Sequence, residues 1–174
     1  MSRPFQSPSA DQHRRESPAR VRCAVVTVSD TRLLENDSSG QAIVDALDQA
    51  GHAVVEREIV PDVPEQIEQI VRRLVSATEV DAILITGGTG IAARDQTPDT
   101  LVRLFTKELP GYGELLRMLS YQEIGPAAML SRACGGLVEQ TVLLTMPGST
   151  AAVRLAMEKL IVPELGHLVS LAQS

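Results

Sequence analysis

Residues 80–99 read Val-Asp-Ala-Ile-Leu-Ile-Thr-Gly-Gly-Thr-Gly-Ile-Ala-Ala-Arg-Asp-Gln-Thr-Pro-Asp. Val80–Thr86 is a short, nearly unbroken apolar run, as expected of a strand buried on both faces. A glycine-rich loop, Gly87 to Thr97, follows it. Thr97 is placed to cap a helix, Pro98 suits its first turn, and Asp99 complements the positive end of its dipole. Strand, glycine loop and helix in this order make half of a βαβ unit, whose crossover demands a parallel partner strand.

Partners lie on both sides. Upstream, Arg22–Ser29 (RCAVVTVS) and His52–Val60 (HAVVEREIV) read as strands. Between them, a polar loop over 30–38 precedes a helix over Ser39–Ala50, with Ile43, Val44 and Leu47 at helical spacing and Gly51 as its stop. Asp62-Val-Pro-Glu65 looks like a helix start with Asp62 as N-cap; that helix runs to about Thr78 with Ile67, Ile70, Val71 and Leu74 on one face. Downstream, the helix opened at Thr97 runs to about Lys107, and Leu109-Pro-Gly-Tyr-Gly113 breaks it. Glu114–Tyr121 is helical, Ala127–Arg132 is helix or turn, and Gly135–Glu139 is a short strand. Thr141–Thr145 is a strand, Ala151–Leu160 a helix, and Pro163 starts a last short one. Strands alternating with amphipathic helices predict an α/β fold, a mostly parallel sheet covered on both faces.

The chain has 174 residues and a formal net charge of −6, with 44% hydrophobic and 22% charged residues. That length supports one sizeable core, so residues 21–174 are expected to form a single domain. Residues 1–20, rich in Ser, Pro, Arg and Gln, are expected to be a disordered basic tail. The acidic balance argues against a general nucleic-acid or membrane-surface binder. With 2% aromatics and no Trp, stacking platforms for single strands are excluded. No apolar run reaches the roughly 18–20 residues that span a bilayer. The first twenty residues lack the apolar stretch of a signal peptide. Cys23 and Cys134 have no ligand spacing or disulfide framework. A cytoplasmic location is the expectation.

In an open α/β sheet, ligands bind beyond the carboxyl ends of the strands. Three loops leave such ends: Thr27-Val-Ser29-Asp30 onward, Thr86-Gly87-Gly88-Thr89-Gly90 onward, and Thr145-Met-Pro147-Gly148-Ser149. Glycine lets backbone N–H groups approach an anion, and hydroxyls add donors. Each loop alone is equally well a tight turn; three on one edge point to a phosphate- or nucleotide-handling cleft. A Walker A loop is ruled out, because Ile91 follows Gly90 and the next Lys is Lys107. Gly88-Thr-Gly90-Ile-Ala-Ala93 imitates the dinucleotide fingerprint. However, Glu108, 20 residues on, falls at a helix end rather than a strand end.

Three carboxylates, Asp30, Asp62 and Asp95, can converge on this cleft. Beside phosphates they repel unless a divalent cation is added, and Mg²⁺ typically takes one or two carboxylates plus phosphate oxygens. Asp62 can instead be only an N-cap, and Asp95 only a surface partner of Arg94. His13, His52 and His167 form no ligand cluster, and no Ser-His-Asp or Cys-His arrangement supports hydrolase chemistry.

Seven blocks in order carry a family resemblance: Thr27-Val-Ser-Asp30, Asp37-Ser-Ser-Gly40, Ile59-Val-Pro-Asp62, Thr86 to Asp99, Pro110-Gly-Tyr-Gly-Glu114, Ala128-Met-Leu-Ser-Arg132 and Met146-Pro-Gly-Ser149. Together they resemble the MoaB/MogA family of molybdenum cofactor biosynthesis proteins, over about Arg22 to His167. The segment Gly113 to Gly125 is more similar to the MoaB branch. Ala93 departs from the pattern, since many relatives have proline there.

The resemblance implies a three-layer αβα molybdopterin-binding domain that assembles as a trimer or hexamer. It implies a nucleotidyltransferase, molybdopterin adenylyltransferase, that uses ATP and Mg²⁺ and releases adenylylated molybdopterin and pyrophosphate. The product then passes to a molybdate-inserting enzyme. By the same resemblance Asp62 and Asp95 are catalytic and metal-binding. Gly87, Gly88, Thr89 and Gly90 hold nucleotide or phosphate, Ser131 and Arg132 lie on the pterin side, and Pro147, Gly148 and Ser149 on the nucleotide side. Arg132 and Arg94 are expected to bind anionic oxygens, as Arg does bidentately. Ser29 and Asp30 complete the expected site. The alternative is a non-catalytic module that binds or delivers molybdopterin in the same pathway.

Overall fold

The computed structural model describes residues 17–174. Six strands, β1 (Arg22–Val28), β2 (Ala53–Val60), β3 (Ala82–Thr86), β4 (Lys107–Glu108), β5 (Gly135–Val138) and β6 (Thr141–Met146), form one sheet in the order β2-β1-β3-β6-β5-β4. β2, β1, β3 and β6 run parallel, and β5 is antiparallel to both β6 and β4. Helices α1 (Ser38–Gln49), α2 (Pro64–Ser76), α3 (Thr97–Val102), α4 (Pro110–Ile124), α5 (Thr150–Ala156) and α6 (Val162–Ala172) cover it. A 3₁₀ stretch, Gly125–Leu130, follows α4, and a π turn, Met157–Ile161, joins α5 to α6.

Alternation along the strands assigns each side chain to a layer. Cys23, Val25, Leu84, Val142 and Leu144 face Ile43 and Leu47 of α1, Leu116 of α4, Val153 of α5 and Leu165 and Val169 of α6. The intervening Ala24, Val26, Ile83, Ile85 and Leu143 face Ile67, Ile70, Val71 and Leu74 of α2 and Leu101 of α3. Each fully buried Leu or Ile contributes roughly 1.5–3 kcal/mol, so the two cores hold the parallel strands, and with them their carboxyl ends, in fixed register. The expected three-layer αβα fold is the observed one.

Four local expectations fail. Asp62 is not an N-cap: α2 starts at Pro64, Val63 occupies the cap position, and no side chain caps it. Proline's preset φ moves the start past Asp62 and frees that carboxylate. Thr97 likewise lies inside α3, whose cap position is Gln96. That helix ends at Val102 rather than near Lys107, which lies in edge strand β4. Pro110 does not break a helix but occupies the first turn of α4, which runs 15 residues. Gly113 lets this helix approach the chain before β5, since a Cβ there would sit 2.5 Å from the Ala133 carbonyl oxygen.

The expected tail lies outside the described residues up to position 16. Beyond that, Pro18 rests on α6, where a Cβ at Gly166 would come within 2.7 Å of its carbonyl oxygen. Among the described residues no helix is long and apolar enough to cross a membrane.

Candidate functional site

β1, β3 and β6 are parallel neighbours, so the loops that leave them lie side by side. They floor a cleft of about 460 Å³. Thr27, Ser29, Gly87 to Gly90 and Pro147 to Ser149 line it from the sheet edge; Ser120, Ile124, Ala127, Leu130 and Ser131 form the opposite, more apolar wall. The floor is stitched together: Thr86 Oγ1 donates to the Pro147 carbonyl at 3.0 Å and the Gly87 N–H to the Met146 carbonyl at 3.0 Å. The N–H groups of Gly88, Thr89 and Gly90 have no partner among the described residues. Three successive free donors at a glycine turn suit an anion.

The glycines are required here by shape. Gly87 has φ +105° and its missing Cβ would lie 2.2 Å from the Val28 carbonyl oxygen; Gly88 has φ +62°. A side chain at Gly87 would both strain the backbone and push β1 from β3. Gly87→Ala is expected to cost about 1–3 kcal/mol, measurable as a shifted urea midpoint with an unchanged slope.

Asp62 and Asp95 approach the same loop. Asp62 Oδ1 accepts the Gln96 N–H at 3.1 Å and the Thr97 hydroxyl at 3.4 Å, while its own N–H donates to Asp30 Oδ1 at 3.1 Å. A Cβ on Gly88 would lie 2.5 Å from Asp62 Oδ2, and one on Gly90 would lie 2.5 Å from Asp95 Oδ2. Asp95 Oδ2 also accepts the Ala92 N–H at 2.9 Å. Burial raises the Asp62 carboxyl above the ordinary range, and the negative charges of Asp95 and Asp30 add to this against the Gln96 and Thr97 hydrogen bonds. Hard oxygen donors that repel one another suit a divalent cation. No group of three or more His, Cys, Asp or Glu side chains at metal-holding spacing exists among the described residues. A cation here would rest on two carboxylates plus substrate oxygens and water.

Ser29 and Ser131 line the cleft, as does Ser149, which also caps α5 by accepting the Ala152 N–H at 3.2 Å. Asp30 is exposed, outside the cleft lining, and tied to Asp62.

The expected arginines behave differently. Arg94 is exposed and outside the cleft lining. Arg132 is not a free anion clamp. Its Nε donates to the Gly90 carbonyl at 2.7 Å, Nη2 to the Asp95 carbonyl at 2.5 Å, and Nη1 to both oxygens of Asp99 at 3.0 and 2.8 Å. Its backbone N–H adds a bond to the Thr89 carbonyl at 2.8 Å. A planar fork matches three fixed acceptors well, so Arg132 clasps the glycine loop against the apolar wall.

The cation that does line the cleft is Arg32, which no sequence motif singles out. It reaches Ser39 Oγ, Asp37 Oδ1 at 3.4 Å and the Gly148 carbonyl at 3.4 Å. Only the fold brings it to Gly148, 116 residues away. Asp37 is fully buried and caps α1 through the Gly40 N–H at 2.9 Å; it also accepts from Thr27 at 2.7 Å and Arg57 at 3.2 Å.

Comparison with known proteins fits this architecture. A family described as a probable molybdopterin binding domain matches residues 24–167. Molybdenum cofactor biosynthesis protein B of Bacillus subtilis (strain 168) is 49% identical over 162 residues, covering 92% of this chain and 95% of that protein. The crystal structure of a molybdenum cofactor biosynthesis protein B matches with a TM-score of 0.87 and 51% identity, over 90% of this chain and 98% of the other. Tungsten cofactor synthesizing protein MoaB from Pyrococcus furiosus matches with a TM-score of 0.81 and 34% identity, over 91% and 100% of the two chains. The chain therefore belongs to the molybdopterin-binding domain family of molybdenum cofactor biosynthesis proteins, on the MoaB side of the MoaB/MogA group.

Proposed function

We propose that the cleft adenylylates molybdopterin with ATP, in a Mg²⁺-dependent reaction of a cytoplasmic trimer or hexamer that hands its product to a molybdate-inserting enzyme. The observation that carries this is the meeting of Asp62 and Asp95 on one glycine loop whose amides are free. An ionised oxygen of the pterin's terminal phosphate attacks the α-phosphorus of ATP. The bond from that phosphorus to the β-bridging oxygen breaks, and pyrophosphate leaves with the electron pair. The nucleophile is already ionised, so no general base is needed.

Such a transfer depends on positioning and charge neutralisation rather than on covalent chemistry by the protein. The amides of Gly88, Thr89 and Gly90 bind phosphate oxygens, and the apolar wall from Ile124 to Leu130 takes the flat pterin. Arg132 keeps the loop in place. Mg²⁺, held by Asp62 and Asp95, would supply positive charge to the triphosphate and its departing group.

The test is pyrophosphate release from ATP, molybdopterin and Mg²⁺. Release is expected to stop when the metal is chelated and to return when Mg²⁺ is restored. A protein that binds molybdopterin yet releases no pyrophosphate under these conditions is a binding or delivery module instead.

A further inference from the structure

Arg32, Asp37 and Arg57 form a charge cluster with an uneven balance. Two guanidiniums share one buried carboxylate, which leaves one positive charge over. Arg57 is the better-matched partner. Its Nη2 lies 3.2 Å from Asp37 Oδ2 and 3.1 Å from the Asp37 carbonyl, and its Nη1 donates to Gln41 Oε1 at 2.5 Å. Arg32 sits at the looser 3.4 Å, with its side chain one-third exposed. Its Nε and one Nη2 hydrogen have no partner among the described residues.

The cleft is therefore electrically polar. Asp95 is its lining acid, beside Gly90, and Arg32 its lining cation, beside Gly148. Gly148 in turn abuts Gly87, 3.5 Å from its missing Cβ to the Gly87 Cα. The two charges thus stand at opposite ends of the glycine loop.

We propose that Arg32 is the anion-binding side chain of the cleft, donating its free N–H groups to a phosphate oxygen of the substrate at the Gly87–Gly148 end. This rests on the adenylylation proposed above for the identity of the substrates, though not for the presence of an anion subsite. ATP and the terminal phosphate of molybdopterin offer the same oxyanion chemistry, and separate binding titrations distinguish them.

The experiment is calorimetric titration of wild type, Arg32→Gln and Arg32→Lys with ATP and, separately, with molybdopterin. Arg72→Gln, on the exposed face of α2, is the surface control. Glutamine removes the charge while keeping a polar side chain in the cleft. Losing a charged hydrogen bond is expected to weaken one of the two ligands roughly tenfold or more, and that ligand is the one Arg32 holds. Lysine is expected to recover part of the loss. In the wild-type protein, pyrophosphate is expected to protect Arg32 from an arginine-directed dicarbonyl reagent, read by peptide mapping. That arm needs no variant to fold.

Affinities within twofold of wild type for both ligands in Arg32→Gln, or no protection of Arg32 by saturating pyrophosphate, overturn the proposal. A wild type that binds ATP but releases no pyrophosphate sinks adenylylation alone, and the Arg32 titrations still decide the subsite.

Discussion

Asp37→Ala is expected to lower the stability of this protein by about 3–5 kcal/mol, the range seen when one partner of a buried ion pair is removed. The carboxylate is fully buried and serves five groups at once: the Gly40 N–H and the Ser39 hydroxyl at the start of α1, the Thr27 hydroxyl of β1, Arg57 of β2 and Arg32 of the loop between β1 and α1. Removing it deprives Arg57 of its countercharge while leaving that guanidinium mostly buried, and it uncaps α1. At roughly 2–4 °C per kcal/mol for a chain of this size, the melting temperature falls by about 10 °C. The effect has a pH signature. Burial pushes the Asp37 carboxyl up, but the Gly40 N–H, Thr27, Arg57 and Ser39 together hold it below the usual carboxylate range. A depressed folded pKa stabilises above the unfolded value of about 4, and that contribution disappears as pH falls through the folded value. Urea unfolding of wild type and variant at pH 7 and at pH 3 should show the gap shrinking on acidification. An equal gap at both would mean that packing, rather than charge, is what Asp37 supplies.

Asp62→Asn is expected to do the opposite: cut turnover and spare stability. The Asp62 carboxyl is raised by burial and by its acidic neighbours, net of the Gln96 and Thr97 hydrogen bonds. A raised folded pKa means that the native state holds the proton more tightly than the unfolded chain. Ionised Asp62 therefore opposes folding, and its favourable contribution is present at low pH and lost as pH rises through the raised value. Asparagine keeps an oxygen for the Gln96 N–H and removes the charge, so the melting temperature at pH 7 should equal or slightly exceed that of wild type. Pyrophosphate release should fall by about 100-fold or more, the scale on which charge-stabilising groups act in such sites. Wild-type turnover in Asp62→Asn would remove it from the mechanism. A lower melting temperature would make it a structural residue.

Much of the fold is legible in the amino-acid sequence because a parallel sheet buries its strands on both faces. Runs such as AILIT and VLLT have no other use in a chain of this kind, and the helices between them show period 3.6. The departures cluster at proline. Pro64 and Pro110 each occupy the first turn of a helix. The pattern of apolar residues does not distinguish a proline that starts a helix from one that ends the previous segment. That ambiguity hides the release of Asp62 from capping.

The glycine loop and its carboxylates are readable because local composition carries them. Arg32 is not, for it lies in a polar loop with no periodicity, and its partners come from α1 and from the loop after β6. It falls between two of the seven blocks, two residues after Asp30 and five before Asp37, and belongs to neither. Arg132 stands out in the sequence, yet its role does not. A Ser-Arg pair looks the same whether its guanidinium faces a ligand or, as here, the carbonyls of Gly90 and Asp95.

The Arg132 clasp has a consequence for behaviour in concentrated electrolyte. Its bond to Asp99 joins two partly exposed ions, with side chains 34% and 52% accessible, and mobile counterions at molar strength shrink the screening length to about 3 Å. The bonds to the Gly90 and Asp95 carbonyls involve no opposing ion and are far less sensitive. Brine therefore loosens the outer tooth of the clasp while the inner two keep the loop seated.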